Sequence, residues 1–156
     1  MSPGSATTEA NRTLLERLMA RPLVELFKEN RGEFCSYFTE DVVWAVPPGD
    51  FWTGGVRLGI EAVIDLYNGM LKRAPWDHGE GAKVQVSMDP ATERAYAVLA
   101  DENVGFVLHH NVLARGDGER LEFPLVILVR FRDGKISEFR EFLYDPAEVF
   151  SFCRGD

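Results

Sequence analysis

The sequence predicts an α+β domain in which N-terminal helices cover one face of a curved, mostly antiparallel sheet. Three observations predict it. In the first third, apolar residues recur three and four apart at Leu14, Leu15, Leu18, Met19, Leu23, Leu26 and Phe27, as on one side of a helix. The second half is instead a series of β-branched and aromatic runs separated by turn residues. One of these runs is apolar on both faces: Phe123, Leu125, Ile127 and Val129 point one way, Val126 and Leu128 the other. A sheet wetted on one side would alternate apolar with polar. Two apolar faces need two covers. The helices supply one, and a second copy of the chain is the candidate for the other.

The elements follow in order. Residues 1–9 are small and polar and read as a flexible tail, residues 10–150 as a single domain, and residues 151–156 as a closing tail. The helical pattern of residues 8–30 must kink or restart at Pro22, which has no N–H for the helix ladder. Arg31-Gly32 breaks it, and a short second helix spans residues 33–38. The run Val42-Val43-Trp44-Ala45-Val46 is a strand, ended by Pro47-Pro48. Residues 51–59 are a Gly-rich loop carrying Phe51 and Trp52. A third helix over residues 60–73 buries Val63, Ile64, Tyr67, Met70 and Leu71. After a polar loop at residues 76–81, strands are expected at 82–88, 94–100 and 104–114, with Asp101-Glu102-Asn103 as a bulge or short excursion. The long strand at residues 121–132 then turns at Asp133-Gly134, two residues that tolerate the positive φ of a tight hairpin. Helices first and an antiparallel meander last is an α+β layout.

Composition narrows the function. The chain has 156 residues, 46% hydrophobic and 27% charged, with a formal net charge of −8. That is enough chain for one buried core, and too acidic for phosphate backbones or an anionic membrane surface. No apolar run reaches the length of a membrane span. Cys35 and Cys153 make no disulfide framework and read as reduced thiols of a cytoplasmic protein. His78, His109 and His110 form no spaced metal set, since neighbours on a strand point apart. Gly54-Gly55 lacks the strand-to-helix context of a phosphate loop. No nucleophile triad can be assembled. No cofactor is expected.

The pieces Phe38-Thr39-Glu40-Asp41-Val42-Val43-Trp44, Gly59-Ile60-Glu61-Ala62-Val63, Phe131-Arg132-Asp133-Gly134-Lys135-Ile136 and Arg140-Glu141-Phe142-Leu143-Tyr144-Asp145 occur in one order along the chain. Together they resemble the nuclear transport factor two-like (cystatin-like) superfamily. Within it they resemble the SnoaL-like polyketide cyclases, ketosteroid isomerase and limonene epoxide hydrolase. The resemblance implies a cone-shaped pocket between the helices and the concave sheet face, and a homodimer through the outer face. It does not fix a reaction, because one fold hosts many. The isomerase positions for a Tyr, a base Asp and a protonated Asp fall here on Pro22, Val46 and Ile127, so that machinery is absent. Against the epoxide hydrolase pattern, the final Asp falls on Glu141 and the Arg-x-Asp pair on His109-x-Asn111. Its Tyr and Asn fall on Trp44 and Val46.

Glu141 and His109 are thus the candidate catalytic residues. Strand parity puts Glu141 on a face with Phe139 and Leu143, and the resemblance makes that face the pocket; near Ile127 a carboxyl there would be poorly solvated and its pKa raised toward neutrality. The competing reading is a surface glutamate or a structural ion pair. His109 shares a face with Asn111 and could be the partner base, with Glu141 orienting its ring, or the reverse. The competing reading is a histidine of the pocket wall. His110 points to the opposite face, toward an interface. Asn111, Tyr67, Trp44, Val46, Ile127, Phe139 and Trp52 are the candidate substrate-binding residues, with Trp76 a further aromatic and Phe51 and Trp52 a candidate lid. Asp101 and Glu102 read as solvated charges, and Asp145 as the cap of a final turn. The expected activity is cofactor-free acid/base chemistry on a small apolar ligand such as a polyketide or terpenoid. A non-catalytic ligand-binding dimer is the alternative.

Overall fold

A computed structural model of the chain describes residues 3–47, 54–72, 76–77, 85–88 and 94–155. Helix α1 (Pro3–Leu18) begins inside the stretch read as a tail. The predicted long helix is two: Pro22 cannot continue the ladder, and α2 (Leu23–Glu29) starts directly after it. Asn30 ends α2 and opens α3 (Arg31–Ser36), its Oδ1 accepting from the Glu33 N–H at 3.0 Å. Strand β1 (Phe38–Val46) is longer than the apolar run predicted. Part of the supposed Gly-rich loop is a short edge strand, β2 (Gly55–Leu58). Gly59, at φ 86°, then turns the chain into α4 (Ile60–Lys72).

The remaining strands are β3 (Trp76–Asp77), β4 (Gln85–Met88), β5 (Arg94–Ala100), β6 (Val104–Arg115), β7 (Arg120–Arg132) and β8 (Lys135–Leu143). Among the described residues they form one sheet in the order β2-β1-β8-β7-β6-β4-β3, with β5 also on β6. Every pairing is antiparallel except β1 with β8. The Asp133-Gly134 turn forms as predicted, with φ values of 54° and 72°. Asp101-Glu102-Asn103 is not a bulge but a tight turn between antiparallel β5 and β6. Asp101 Oδ1 accepts from the Asn103 and Val104 N–H groups at 2.7 and 2.8 Å. Asn11 of α1, itself buried, donates from Nδ2 to the carbonyls of Asp101 and Glu102 and ties the helix to that turn.

Strand β7 explains the placement of everything else. Its inward residues Phe123, Leu125, Ile127 and Val129 are buried, while Val126 stays exposed on the outer face. Helices α1, α2 and α4 cover the inner face. An aromatic cluster of Phe27, Phe34, Phe38, Trp44, Tyr67 and Phe139 fills one end of the concavity. The chain closes with α5 (Pro146–Arg154), which takes in most of the supposed C-terminal tail. Asp145 caps it as expected, accepting from the Glu148 N–H at 3.0 Å.

Candidate active site

Between the helices and the sheet lies a cavity of about 170 Å³. Its floor is Leu125 and Ile127 of β7, flanked by His109 and Asn111 of β6 on one side and Glu141 and Leu143 of β8 on the other. Trp44, Val46 and Tyr67 form part of the wall. The cavity thus brings Glu141, His109, Asn111, Tyr67, Trp44, Val46 and Ile127 to one space. Phe139 is the exception. It is fully buried behind Trp44, stacked on the indole at 4.0 Å and 10°, and does not line the cavity. Its inward direction was legible, but the ring that covers it comes from the parallel neighbour β1. Phe51, Trp52, His78 and the Trp76 side chain lie outside the described residues. Asp101 and Glu102 are exposed and do not line this cavity. His110 faces outward, 3.4 Å from the Glu122 carboxylate.

The expected contact between His109 and Glu141 is not made. His109 pairs with Leu125, Leu125 with Leu143, and Glu141 with Ile127, so β7 runs between the two residues and they differ by one row. Sheet spacing puts their Cα atoms roughly 12 Å apart. Glu141 makes no hydrogen bond or ion pair among the described residues. Its neighbour Arg140 pairs instead with Glu138 on the outer face, at 2.8 Å. The Glu141 carboxyl opens on an apolar cavity, with no counter-charge among the described residues, and burial pushes its pKa up to about 7. His109 is 4% exposed. Burial pushes its imidazole down to about 4; Asn111 beside it pulls the other way and His110 adds a smaller lowering. Near neutral pH the cavity thus presents an uncharged imidazole on β6 and a half-protonated acid on β8. A group poised there can give or take a proton without a large driving-force penalty.

Helix α5 was not anticipated as part of the site. Val149, Phe150 and Cys153 line the cavity, and Phe152 lies under the Arg115 guanidinium at 4.9 Å. The available signal was the Asp-Pro helix start followed by Val149 and Cys153 four apart. The Cys153 thiol is pushed by burial up to about 12, which leaves it an apolar wall group rather than a nucleophile. Among the described residues no group of three or more His, Cys, Asp or Glu side chains could hold a metal ion. None of their helices is long and apolar enough to cross a membrane.

A family model described as a SnoaL-like domain matches residues 23–139. No curated protein matches the chain. Solved structures share the fold at low identity. Bal32a from a soil-derived mobile gene cassette is 20% identical, with 94% of this chain and 98% of that one covered and a TM-score of 0.65. An LEH-like epoxide hydrolase from M. tuberculosis is 14% identical, with coverage of 94% and 90% and a TM-score of 0.59. TerC, co-crystallised with polyporic acid, is 14% identical, with coverage of 99% and 100% and a TM-score of 0.60.

Proposed function

Since this chain belongs to the SnoaL-like domain family, we propose that it is an enzyme that moves a proton on a small apolar metabolite, with Glu141 as the acid/base. The observation that carries this reading is a carboxyl without a partner among the described residues, opening on an apolar cavity, with its pKa near 7. Protonated, Glu141 donates to a substrate oxygen; ionised, it removes a proton from carbon or from water. Cyclisation, dehydration, isomerisation and ring opening all need such a step. His109, uncharged, and Asn111 hold the far end of the ligand across β7, with Tyr67 and Trp44 as walls. Among the described residues the cavity lining carries no Lys or Arg, which suits an uncharged ligand. A volume of about 170 Å³ suits a compact body, since an apolar cavity of roughly 150 Å³ accommodates benzene. A monocyclic terpenoid or a short polyketide fits this description. The two free cysteines suit a reducing, cytoplasmic setting.

The test is turnover across a panel of uncharged epoxides and cyclic enones as a function of pH. A profile that bends near pH 7, lost in Glu141→Gln with a drop of about 10²–10⁴-fold, supports the enzyme. A second reading, a non-catalytic ligand binder, is favoured by Pro22, Val46 and Ile127 standing where the isomerase set would be. Saturable binding of a panel member with no turnover at any pH would establish it.

A further inference from the structure

Trp44 is 1% exposed and lines the cavity, with Phe139 stacked flat on one side of its indole and Phe38 and Tyr67 meeting it edge-on. Its N–H can only donate. A buried indole normally hands that proton to an acceptor. The Trp44 N–H makes no hydrogen bond among the described residues. Nor is it one of the sealed polar atoms left without a partner, which are Thr39 Oγ1, His109 Nδ1 and Asn111 Oδ1. It therefore opens on the cavity that Trp44 lines. Glu141 stands beside it. Trp44 pairs with Phe139 and Ala45 with Arg140 across parallel β1 and β8, so Glu141 lies one row on, on the same face. Sheet spacing puts the two Cα atoms roughly 8 Å apart. The indole and the carboxyl are not bonded to each other, and each faces the space between them unpartnered among the described residues. A water there would have only apolar neighbours besides these two groups, in Val46, Ile127 and Leu143. A ligand oxygen that takes its place keeps the hydrogen bond and fills the apolar remainder.

We propose that Trp44 is a specificity-determining residue: its indole N–H donates to an acceptor oxygen of the ligand and seats that oxygen against β1 and β8, beside the Glu141 carboxyl. The ligand is then an oxygenated compound, and its oxygen lies at the Glu141 end of the cavity rather than over β6. A hydrocarbon of the same shape leaves the donor unpaired in a dry wall, which a site built around a donor penalises. The inference rests on the cavity being the ligand site. It asks nothing of turnover.

The experiment titrates ¹⁵N-labelled protein with cyclohexanone and with methylenecyclohexane, which has the same ring and a CH₂ in place of the oxygen. The indole ¹H–¹⁵N signal of Trp44 is assigned by elimination in Trp52→Phe and Trp76→Phe. At saturation cyclohexanone should move that proton downfield and methylenecyclohexane should not. The hydrocarbon gains more from leaving water, so affinities are compared as the ketone-to-hydrocarbon ratio. Trp44→Phe should lower that ratio about tenfold. An indole proton that responds alike to both probes overturns the proposal, as does an unchanged ratio in folded Trp44→Phe. Should that variant fail to fold, the wild-type shifts decide. A Glu141 midpoint that rises above about 7 in ligand-free Trp44→Phe also overturns it, because the indole would then be serving the carboxylate. Uptake of neither probe would remove the ligand site and this contact together. Uptake of both with equal indole response would remove the contact alone.

Discussion

Glu141 ties the chemistry of the site to the stability of the fold. Its carboxyl has a folded pKa near 7, above its ordinary 4.5, so the folded chain holds an extra proton between those values. Raising pH through that window removes the proton from a group with no counter-charge, and stability falls. The full shift corresponds to up to about 3 kcal/mol, reduced by any water that enters the cavity. Glu141→Gln keeps the shape without the charge. Its advantage over wild type in urea unfolding should therefore grow as pH rises from 4.5 to 7, by about 1–3 kcal/mol, and stay constant above pH 8. A difference that does not change with pH would mean that the Glu141 carboxyl is solvated. His109 has the opposite sign. With its folded pKa depressed to about 4, stability is lost as pH falls from 6.5 toward 4. The two slopes oppose each other over the shared range, so the wild-type profile alone will look flatter than either group. That both residues face the cavity was legible from strand parity together with the family resemblance, which identified the inner face. That they do not touch was not, because register across three strands depends on turn lengths and bulges that a single sequence does not fix.

Among the elements, those with local signals were readable and those made by long-range contact were not. The Asp133-Gly134 hairpin, the Pro22 break and the Asp145 cap each follow from one or two residues. The start of α1 has only the weak cue of Ser2-Pro3, a proline at the first helical position, within a small and polar stretch. That helix gains its place by packing on β5 and β6, through Asn11 at the turn and Leu15 over Gly105. A Cβ on Gly105 would stand 2.6 Å from Leu15 Cδ1 and 2.9 Å from Val129 Cγ2. Gly105→Ala should thus lift α1 off the sheet and cost about 1–3 kcal/mol, read by thermal or urea unfolding. An unchanged midpoint would show that α1 yields freely there. At the other end of the chain, Asp145→Ala removes the cap of α5, worth about 1 kcal/mol. Because Val149 and Cys153 of α5 are buried against the cavity, local loosening should show as faster amide exchange across α5 with β7 unaffected. Equal protection in both proteins would mean that α5 is held by its apolar face alone.

At the scale of the molecule, the outer face of the sheet carries an apolar surface that the other described residues do not cover. Phe106 and Phe142 are 46% and 48% exposed, and Leu99, Leu108 and Val126 are exposed as well. Register makes them one patch: Leu99 opposes Phe106, and Leu108, Val126 and Phe142 lie in a row across β6, β7 and β8. Patches of this kind mark interaction sites. The proposed occupant is a second copy, because a two-fold interface needs only one self-complementary surface. Both charge signs border the patch, with Arg130, Arg140 and Glu138 paired on it at 2.8–3.1 Å. Such a rim can meet its own copy without net repulsion, despite a chain charge of −8. Sedimentation of the wild type should then give a dimer at micromolar concentration, and Phe106→Lys, which puts a charge at the patch centre, should give a folded monomer. The substitution lies on the face opposite Glu141, so ligand affinity per chain should be preserved. A wild type that sediments as a monomer at every concentration would leave the outer patch without this partner. A Phe106→Lys variant that remains dimeric would place the interface elsewhere on the molecule.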